Sequence, residues 1–330
     1  MDTLRQPGVF ALGTLSTDGR AFPGLVLGQR VLDLSRPGVL PFDAPSTQAV
    51  LEHWETAYPL LATLAEDADQ EWRDLAGLDV LAPLRPAQIF QCGANYRTHV
   101  IDLAIAHRAA DDPRPIEEHR AEIGAMMDRR AESGTPYLFL GLPSAVAGPY
   151  DDVVLPPYSD QHDWELELAA VIGKPAFRVD RDDALDHVAG YTIVNDLTTR
   201  DLVFRRDLPE IGTDWFRAKN APGFLPTGPW VVPAALFGDP DDVRITLRLN
   251  GEPMQDETTE DMIFGVAALV AAASQITTLH PGDLVLTGSP AGNGAHWGRL
   301  LRAGDVMDGT ITGLGAQRTR CVNPSGGSRA

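Results

Sequence analysis

Glu165 and Glu167 stand one residue apart in the run His162-Asp163-Trp164-Glu165-Leu166-Glu167-Leu168-Ala169-Ala170-Val171-Ile172-Gly173. On a β-strand, residues i and i+2 share one face, roughly 6 to 7 Å apart. The stretch Leu168 to Ile172 is too apolar for a solvated surface, so both acids are expected to face a partly buried cavity. Carboxylates removed from water need a paired cation or a metal ion. A second strand-like run, Ala189-Gly190-Tyr191-Thr192-Ile193-Val194, ends in Asn195-Asp196 and offers a third carboxylate where strand gives way to loop. Three oxygen ligands with no Cys or His among them favour Mg²⁺, Mn²⁺ or Ca²⁺ over Zn²⁺. The competing reading puts Glu165 and Glu167 on the exposed face of an edge strand.

Two other features carry chemistry. In Gly93-Ala94-Asn95-Tyr96-Arg97-Thr98-His99-Val100-Ile101-Asp102, His99 and Asp102 are three apart and meet on one turn of a helix. An acid so placed can orient an imidazole and stabilise its protonated form, as a general base requires. The same spacing also describes an ordinary surface contact. Lysine is scarce: only Lys174 and Lys219 occur. Lys174 follows the Glu-bearing run in a Gly-Lys-Pro turn and reads as surface, whereas Lys219, on a loop after Asp196, is either surface or complements a substrate oxyanion.

These groups must be positioned by short strands. Residues 9–34 read as strands with turns at Asp18-Gly19 and Gly28-Gln29. Residues 47–77 read as helix, with Val50, Leu51, Trp54, Leu60, Leu61 and Leu64 on its apolar face, completing a small N-terminal domain over 1–80. The segment Leu81 to Pro86 is a boundary, and Ile89-Phe90-Gln91-Cys92-Gly93 starts the main domain, 86–322. Residues 116–132 are helix-prone, with a narrow stripe of Ile123, Met126 and Met127. They lie in a segment, 103–135, that reads as a mobile lid or as an amphipathic surface helix. Val243 to Leu249 runs into an Asn250-Gly251 hairpin turn, Thr258 to Asp261 caps a helix reaching Gln275, and Gly-Asp turns feed strands Leu284–Thr287 and Val306–Ile311. His296 and Trp297 after the Gly-rich loop read as a surface histidine and a packed aromatic, or as the pocket border. Residues 323–330 read as a flexible tail. The pattern favours an α+β, β-rich roll or sandwich over a doubly wound parallel sheet. The glycines of 288–294 match no dinucleotide or phosphate-loop fingerprint.

Composition narrows the partners. A chain of 330 residues with 44% hydrophobic residues can bury a large core. A net charge of −19 argues against nucleic acid or an anionic membrane surface. Cys92 and Cys321 show no Cys-x-x-Cys spacing, the N-terminus lacks a signal pattern, and no 18-residue apolar run occurs. A cytoplasmic protein in a reducing setting is expected.

Taken together, the residues resemble the fumarylacetoacetate hydrolase family over about 86–322. The resemblance rests on Gly93, Asn95-Tyr96 and His99; Glu165-Leu166-Glu167-Leu168 with Val171-Ile172-Gly173; and Gly190-Tyr191 through Asn195-Asp196 to Arg200-Asp201. It continues in Lys219 with Gly228-Pro229, Asn250-Gly251, Pro281-Gly282-Asp283, and Thr287-Gly288-Ser289-Pro290 to Gly292 and Gly294. It implies a mixed β-sandwich roll with a small N-terminal α/β cap, commonly a homodimer, acting on small keto acids or diketones through a divalent metal, here Mg²⁺ with Mn²⁺ or Ca²⁺ as alternatives. By the same resemblance Glu165, Glu167 and Asp196 are the metal ligands, Lys219 the oxyanion-side lysine and His99 the histidine that activates water. Tyr96, Arg200 and Ser289 fall at substrate-binding positions. Asp102 stands where the family has glutamate, one methylene longer. Val203 replaces a frequent glutamine, and Phe139-Leu140-Gly141 lacks a lysine often found nearby, which suggests a larger or more apolar substrate. The implied reaction is hydrolysis of a carbon–carbon bond in an acylpyruvate or 1,3-diketone, with keto–enol isomerisation or oxaloacetate-type decarboxylation as the alternative; a structural Ca²⁺ module is a third reading.

Overall fold

The computed structural model describes residues 9–106, 108 and 112–324. Residues 1–8 of the expected N-terminal domain, 107 and 109–111 of the 103–135 segment and 325–330 of the expected tail lie outside the described residues. The architecture is α+β, with three larger sheets. A six-stranded sheet runs in the spatial order Val232–Pro233, Val188–Asn195, Leu166–Ile172, Leu284–Leu286, Ile89–Gly93, Tyr137–Gly141. Its pairings are antiparallel except Leu284–Leu286 against Ile89–Gly93. A five-stranded sheet orders Glu252–Thr258, Arg244–Leu249, Val306–Ile311, Gly315–Val322 and Val153–Val154. A second five-stranded sheet, built from residues 11–81, carries Arg20–Leu27 at its centre, flanked by Ala11–Thr17 and Arg30–Asp33.

The central strand Leu166–Ile172 is buried at every position. Its alternation divides the core: Leu166, Leu168, Ala170 and Ile172 join a cluster with Ile245, Leu247 and Met307 of the facing sheet. Ala169 and Val171 join a cluster with Leu12, Leu25, Val50 and Leu51 of the N-terminal part. A strand covered on both faces reads as an unbroken apolar run, which is why the sequence pattern looks continuous there. The N-terminal sheet is stitched to the main body by reciprocal backbone bonds between Leu12 and Val231, at 2.9 and 2.8 Å.

Several elements match their expected positions. Ile89–Gly93 and Val306–Ile311 form strands, and the Asn250-Gly251 hairpin has both residues at positive φ, 53° and 89°. Three expectations need correction. The helix expected over 47–77 is two helices, Thr47–Glu52 and Trp54–Glu66. Asp67 ends the second by turning its side chain onto Asp69 N at 2.9 Å and Gln70 Nε2 at 2.7 Å, an Asx turn that competes with helix. Thr258 to Asp261 forms only a 3₁₀ turn, and the α-helix begins later, Val266–Ile276. The cause is tertiary: Asp261 accepts from Thr98 N and Oγ1, and Asn95 O accepts from Ile263 N, which holds the chain extended. Helix Ile116–Ser133 forms as expected, but Met126 is 43% exposed and the buried stripe is Gly124 and Met127. Cys92 and Cys321 are free and buried.

Candidate active site

The antiparallel register of Leu166–Ile172 with Val188–Asn195 sets Leu166 opposite Asn195. Glu165 N donates to Asn195 Oδ1 at 2.9 Å and Asp196 N donates to Glu165 O at 2.8 Å, which clamps the two strand ends together. Glu165, Glu167 and Asp196 then converge, with one oxygen from each lying within 4.8 Å of the others, and all three residues are buried. The exposed-edge reading of Glu165 and Glu167 is thereby excluded. Glu167 Oε2 accepts from Gly288 N at 2.8 Å. Gly288 sits at φ +86°, and a Cβ there would press to 3.1 Å on Cys92 O and on Asn95 Cβ, so glycine lets this backbone approach.

Lys219 ends the short helix Trp215–Lys219, whose N-cap Asp214 accepts from Arg217 N. Its Nζ donates to Glu165 Oε2 at 2.7 Å, Asp196 Oδ2 at 2.6 Å and Asp196 O at 3.1 Å. All three ammonium donors are therefore committed to the acid cluster, and the lysine expected to face a substrate oxyanion serves here as a counter-ion. Arg200 departs from its expected substrate contact in the same way. Its Nε bonds Asp163 Oδ2 at 2.7 Å and its Nη2 bonds Glu165 Oε1 at 2.6 Å. Ser289 accepts from Gln255 Nε2 at 2.8 Å and donates to Pro290 O, so its hydroxyl is spent internally. Tyr96 is 0% exposed and belongs to the core. These three residues support the walls of the site in this structure.

Four buried carboxylates, Asp163, Glu165, Glu167 and Asp196, face two cations, Lys219 and Arg200, an excess of two negative charges. The protonation equilibria register the imbalance. For Glu165 burial is the largest influence and raises the pKa, but Arg200 and Lys219 outweigh it and hold the carboxyl far below its usual range. Glu167 is pushed well above its usual range by burial and then by Asp196, against the partial help of Lys219. Asp196 is also raised, by burial first. Lys219 is held charged because Asp196 and Glu165 overcome the cost of burying it. A divalent cation among three hard oxygen donors would cancel the excess, and the donor set fits Mg²⁺, Mn²⁺ or Ca²⁺.

His99 and Asp102 both lie on helix Arg97–Ala106. His99 is 8% exposed, and its pKa falls to about 4, mainly through burial, with Glu165 opposing and Arg200 reinforcing. Asp102 does not hydrogen-bond it. Asp102 Oδ1 instead accepts from Arg120 Nη1 of helix Ile116–Ser133 at 3.0 Å, while His296 Nδ1 stands 3.9 Å from Asp102 Oδ2. The expected dyad is thus on one helix but not closed, because a guanidinium on the neighbouring helix competes for the acid. His296, read either as a surface histidine or as the pocket border, stands beside Asp102.

Sequence reasoning overlooked Asp163, Gln91 and Arg120. Asp163 is two residues before Glu165, so the same alternation could have flagged it; it also accepts from Gly294 N and Ala295 N. Gln91 Nε2 donates to Asp196 Oδ1 at 2.6 Å, and its Oε1 has no partner among the described residues. No local pattern marks Gln91 or Arg120. Two cavities of about 620 and 610 Å³ lie elsewhere, one lined by Leu78, Tyr150 and Trp230, the other by Pro156, Gln161 and Leu300. The chemistry is located by its charged groups, not by open volume.

The sequence profile described as fumarylacetoacetate hydrolase C-terminal matches residues 88–322. The chain belongs to the fumarylacetoacetate hydrolase family. Its relatives have more than one activity. A 2,4-didehydro-3-deoxy-L-rhamnonate hydrolase of a Sphingomonas species is 44% identical over 188 residues, covering 56% of this chain and 64% of that one. The chain thus spans less than two thirds of that relative's length. A mitochondrial oxaloacetate tautomerase of Xenopus laevis is 34% identical over 258 residues, covering 77% of this chain and 72% of its own. The solved fumarylacetoacetate hydrolase of Exiguobacterium antarcticum superposes with TM-score 0.73 at 28% identity, covering 95% of this chain and 99% of its own. Among the described residues no helix is long and apolar enough to cross a membrane.

Proposed function

We propose that the chain is a divalent-metal-dependent hydrolase that cleaves a carbon–carbon bond in an acylpyruvate or related 1,3-diketone. The observation that carries this reading is His99, a buried imidazole kept neutral beside a buried carboxylate triad. A neutral imidazole is the form that accepts a proton. A divalent ion held by Glu165, Glu167 and Asp196, with Mg²⁺ the proposed species and Mn²⁺ or Ca²⁺ the alternatives, would supply Lewis-acid polarisation of the 2-oxo acid end of the substrate.

His99 takes a proton from water, and the resulting hydroxide adds to the distal carbonyl. The adduct collapses with scission of the bond to the central carbon, leaving a carboxylic acid and the enolate of the 2-oxo acid fragment. The imidazolium returns its proton to that carbon, which restores His99 and consumes one water per bond broken. Lys219 and Arg200 hold Glu165 in place throughout; direct donation from Lys219 to an oxyanion requires release of one of its three bonds.

A second reading, keto–enol tautomerisation on the same groups, is favoured by the Arg120 bond to Asp102. It needs proton transfer but no water attack, so an open dyad costs it less. Product analysis of acylpyruvates, 1,3-diketones and oxaloacetate, with His99→Ala and chelator controls, tests the choice. Two fragments from a diketone, lost in both controls, support hydrolysis. A rearranged keto acid with no fragmentation moves the assignment to a tautomerase.

A further inference from the structure

The rings of Phe139 and Trp215 take no part in the steps above. Their centroids are 4.7 Å apart and their planes 13° from parallel, and both remain partly exposed. Phe139 pairs directly with Gln91 across the antiparallel strands Ile89–Gly93 and Tyr137–Gly141. Directly opposed residues point to the same face of a sheet. Gln91 sends its amide to Asp196, so Phe139 stands on the carboxylate face. Trp215 opens the helix that ends in Lys219. Lys219 Nζ lies 6.0 Å from the Phe139 ring centroid and 5.7 Å from that of Trp215. The stack is held in place: Trp215 Nε1 donates to Tyr137 Oη at 2.8 Å, and that hydroxyl pairs with Thr213 Oγ1 at 3.1 Å. A rigid, partly exposed aromatic face therefore adjoins the ammonium of the acid cluster.

We propose that the Phe139–Trp215 stack is the acyl-group subsite and selects acylpyruvates whose acyl substituent is an aromatic ring. The proposal rests on the hydrolase reading and adds a substrate class to it. A planar ring laid on a pre-ordered aromatic face gains stacking in addition to burial, and little ordering entropy is lost because the hydrogen bonds have already fixed the wall. Replacing a methyl by a phenyl group there is worth on the order of tenfold or more in affinity.

The test compares benzoylpyruvate with acetylpyruvate on Mn²⁺-loaded full-length protein, measuring both kcat/KM and calorimetric Kd. Benzoylpyruvate is expected to be favoured by roughly tenfold or more in each. Phe139→Leu and Trp215→Leu, which keep apolar bulk but remove the ring face, should bring the ratio towards one, whereas Trp215→Phe should retain most of it. If neither compound is cleaved but benzoylpyruvate still binds more tightly in a Phe139-dependent way, the hydrolase reading fails and the subsite stands. Equal Kd values in the unmodified protein, or a ratio that both leucine variants leave intact, overturn the subsite whatever the turnover.

Discussion

Lys219 Nζ donates to Asp196 Oδ2 at 2.6 Å, and this buried bond makes the lysine a resident counter-ion of the carboxylate cluster. Removing one partner of a buried pair leaves an uncompensated charge, at a cost of about 3–5 kcal/mol. Lys219→Met is therefore expected to lower the Tm markedly in chelator. Saturating Mn²⁺ should restore much of the loss, because an ion that binds only the native state stabilises it by mass action. Melting curves with and without metal check this; a variant whose Tm ignores both the substitution and the metal would contradict the counter-ion role.

Glu167 should respond with the opposite sign. Burial and Asp196 push its carboxyl well above the usual range, so without metal a proton is favoured there more than on an ordinary glutamate. Glu167→Gln mimics that protonated form and keeps an acceptor for Gly288 N. The expected outcome is an apo Tm equal to or above that of the parent together with loss of the metal-induced Tm rise. A variant that melts far below the parent in chelator would show that Glu167 is ionised and paired.

His99 predicts the acid limb of stability. Its folded-state pKa of about 4 lies below the ordinary 6.5, chiefly through burial, so between these values the unfolded chain binds a proton that the native chain refuses. The native state is thus fully favoured above about pH 6.5 and loses up to about 3 kcal/mol as the pH falls towards 4. Urea titrations of metal-free protein across this range should show the decline, and His99→Gln should flatten it. An unchanged slope in the variant assigns the decline to other groups.

Arg120 and His99 compete for one acid. The Arg120–Asp102 pair is partly exposed, with side chains 41% and 22% accessible, so Arg120→Ala should cost no more than about 1 kcal/mol. If Asp102 orients His99 for water activation, freeing it should raise the ratio of hydrolysis to tautomerisation several-fold, roughly what a sub-kcal gain in transition-state stabilisation yields. A ratio that does not move leaves Asp102 outside the chemistry.

Glu165 and Glu167 of the carboxylate triad were legible from the chain because strand alternation is a local rule: they share a face whatever the rest of the protein does, and the apolar run that follows them implies burial. The same holds for the Asn250-Gly251 hairpin, where the backbone demands positive φ at two positions. The helix boundaries at Glu66 and Gly265 were not legible, since competing bonds from Asp67 and from the distant Asn95 and Thr98 decided them.

Local sequence therefore determined which residues are candidates for the chemistry and which strands carry them. Tertiary structure alone decided what those residues touch: that Lys219 and Arg200 are spent on Glu165, that Arg120 rather than His99 holds Asp102, and that Phe139 and Trp215 stack beside the cluster. Alternation and helical spacing act over a few residues, whereas these contacts join positions 18 to 76 residues apart, as in Arg120–Asp102 and Phe139–Trp215, and depend on how separate elements pack. Charge balance and ring stacking are properties of that packing, so no local pattern encodes them.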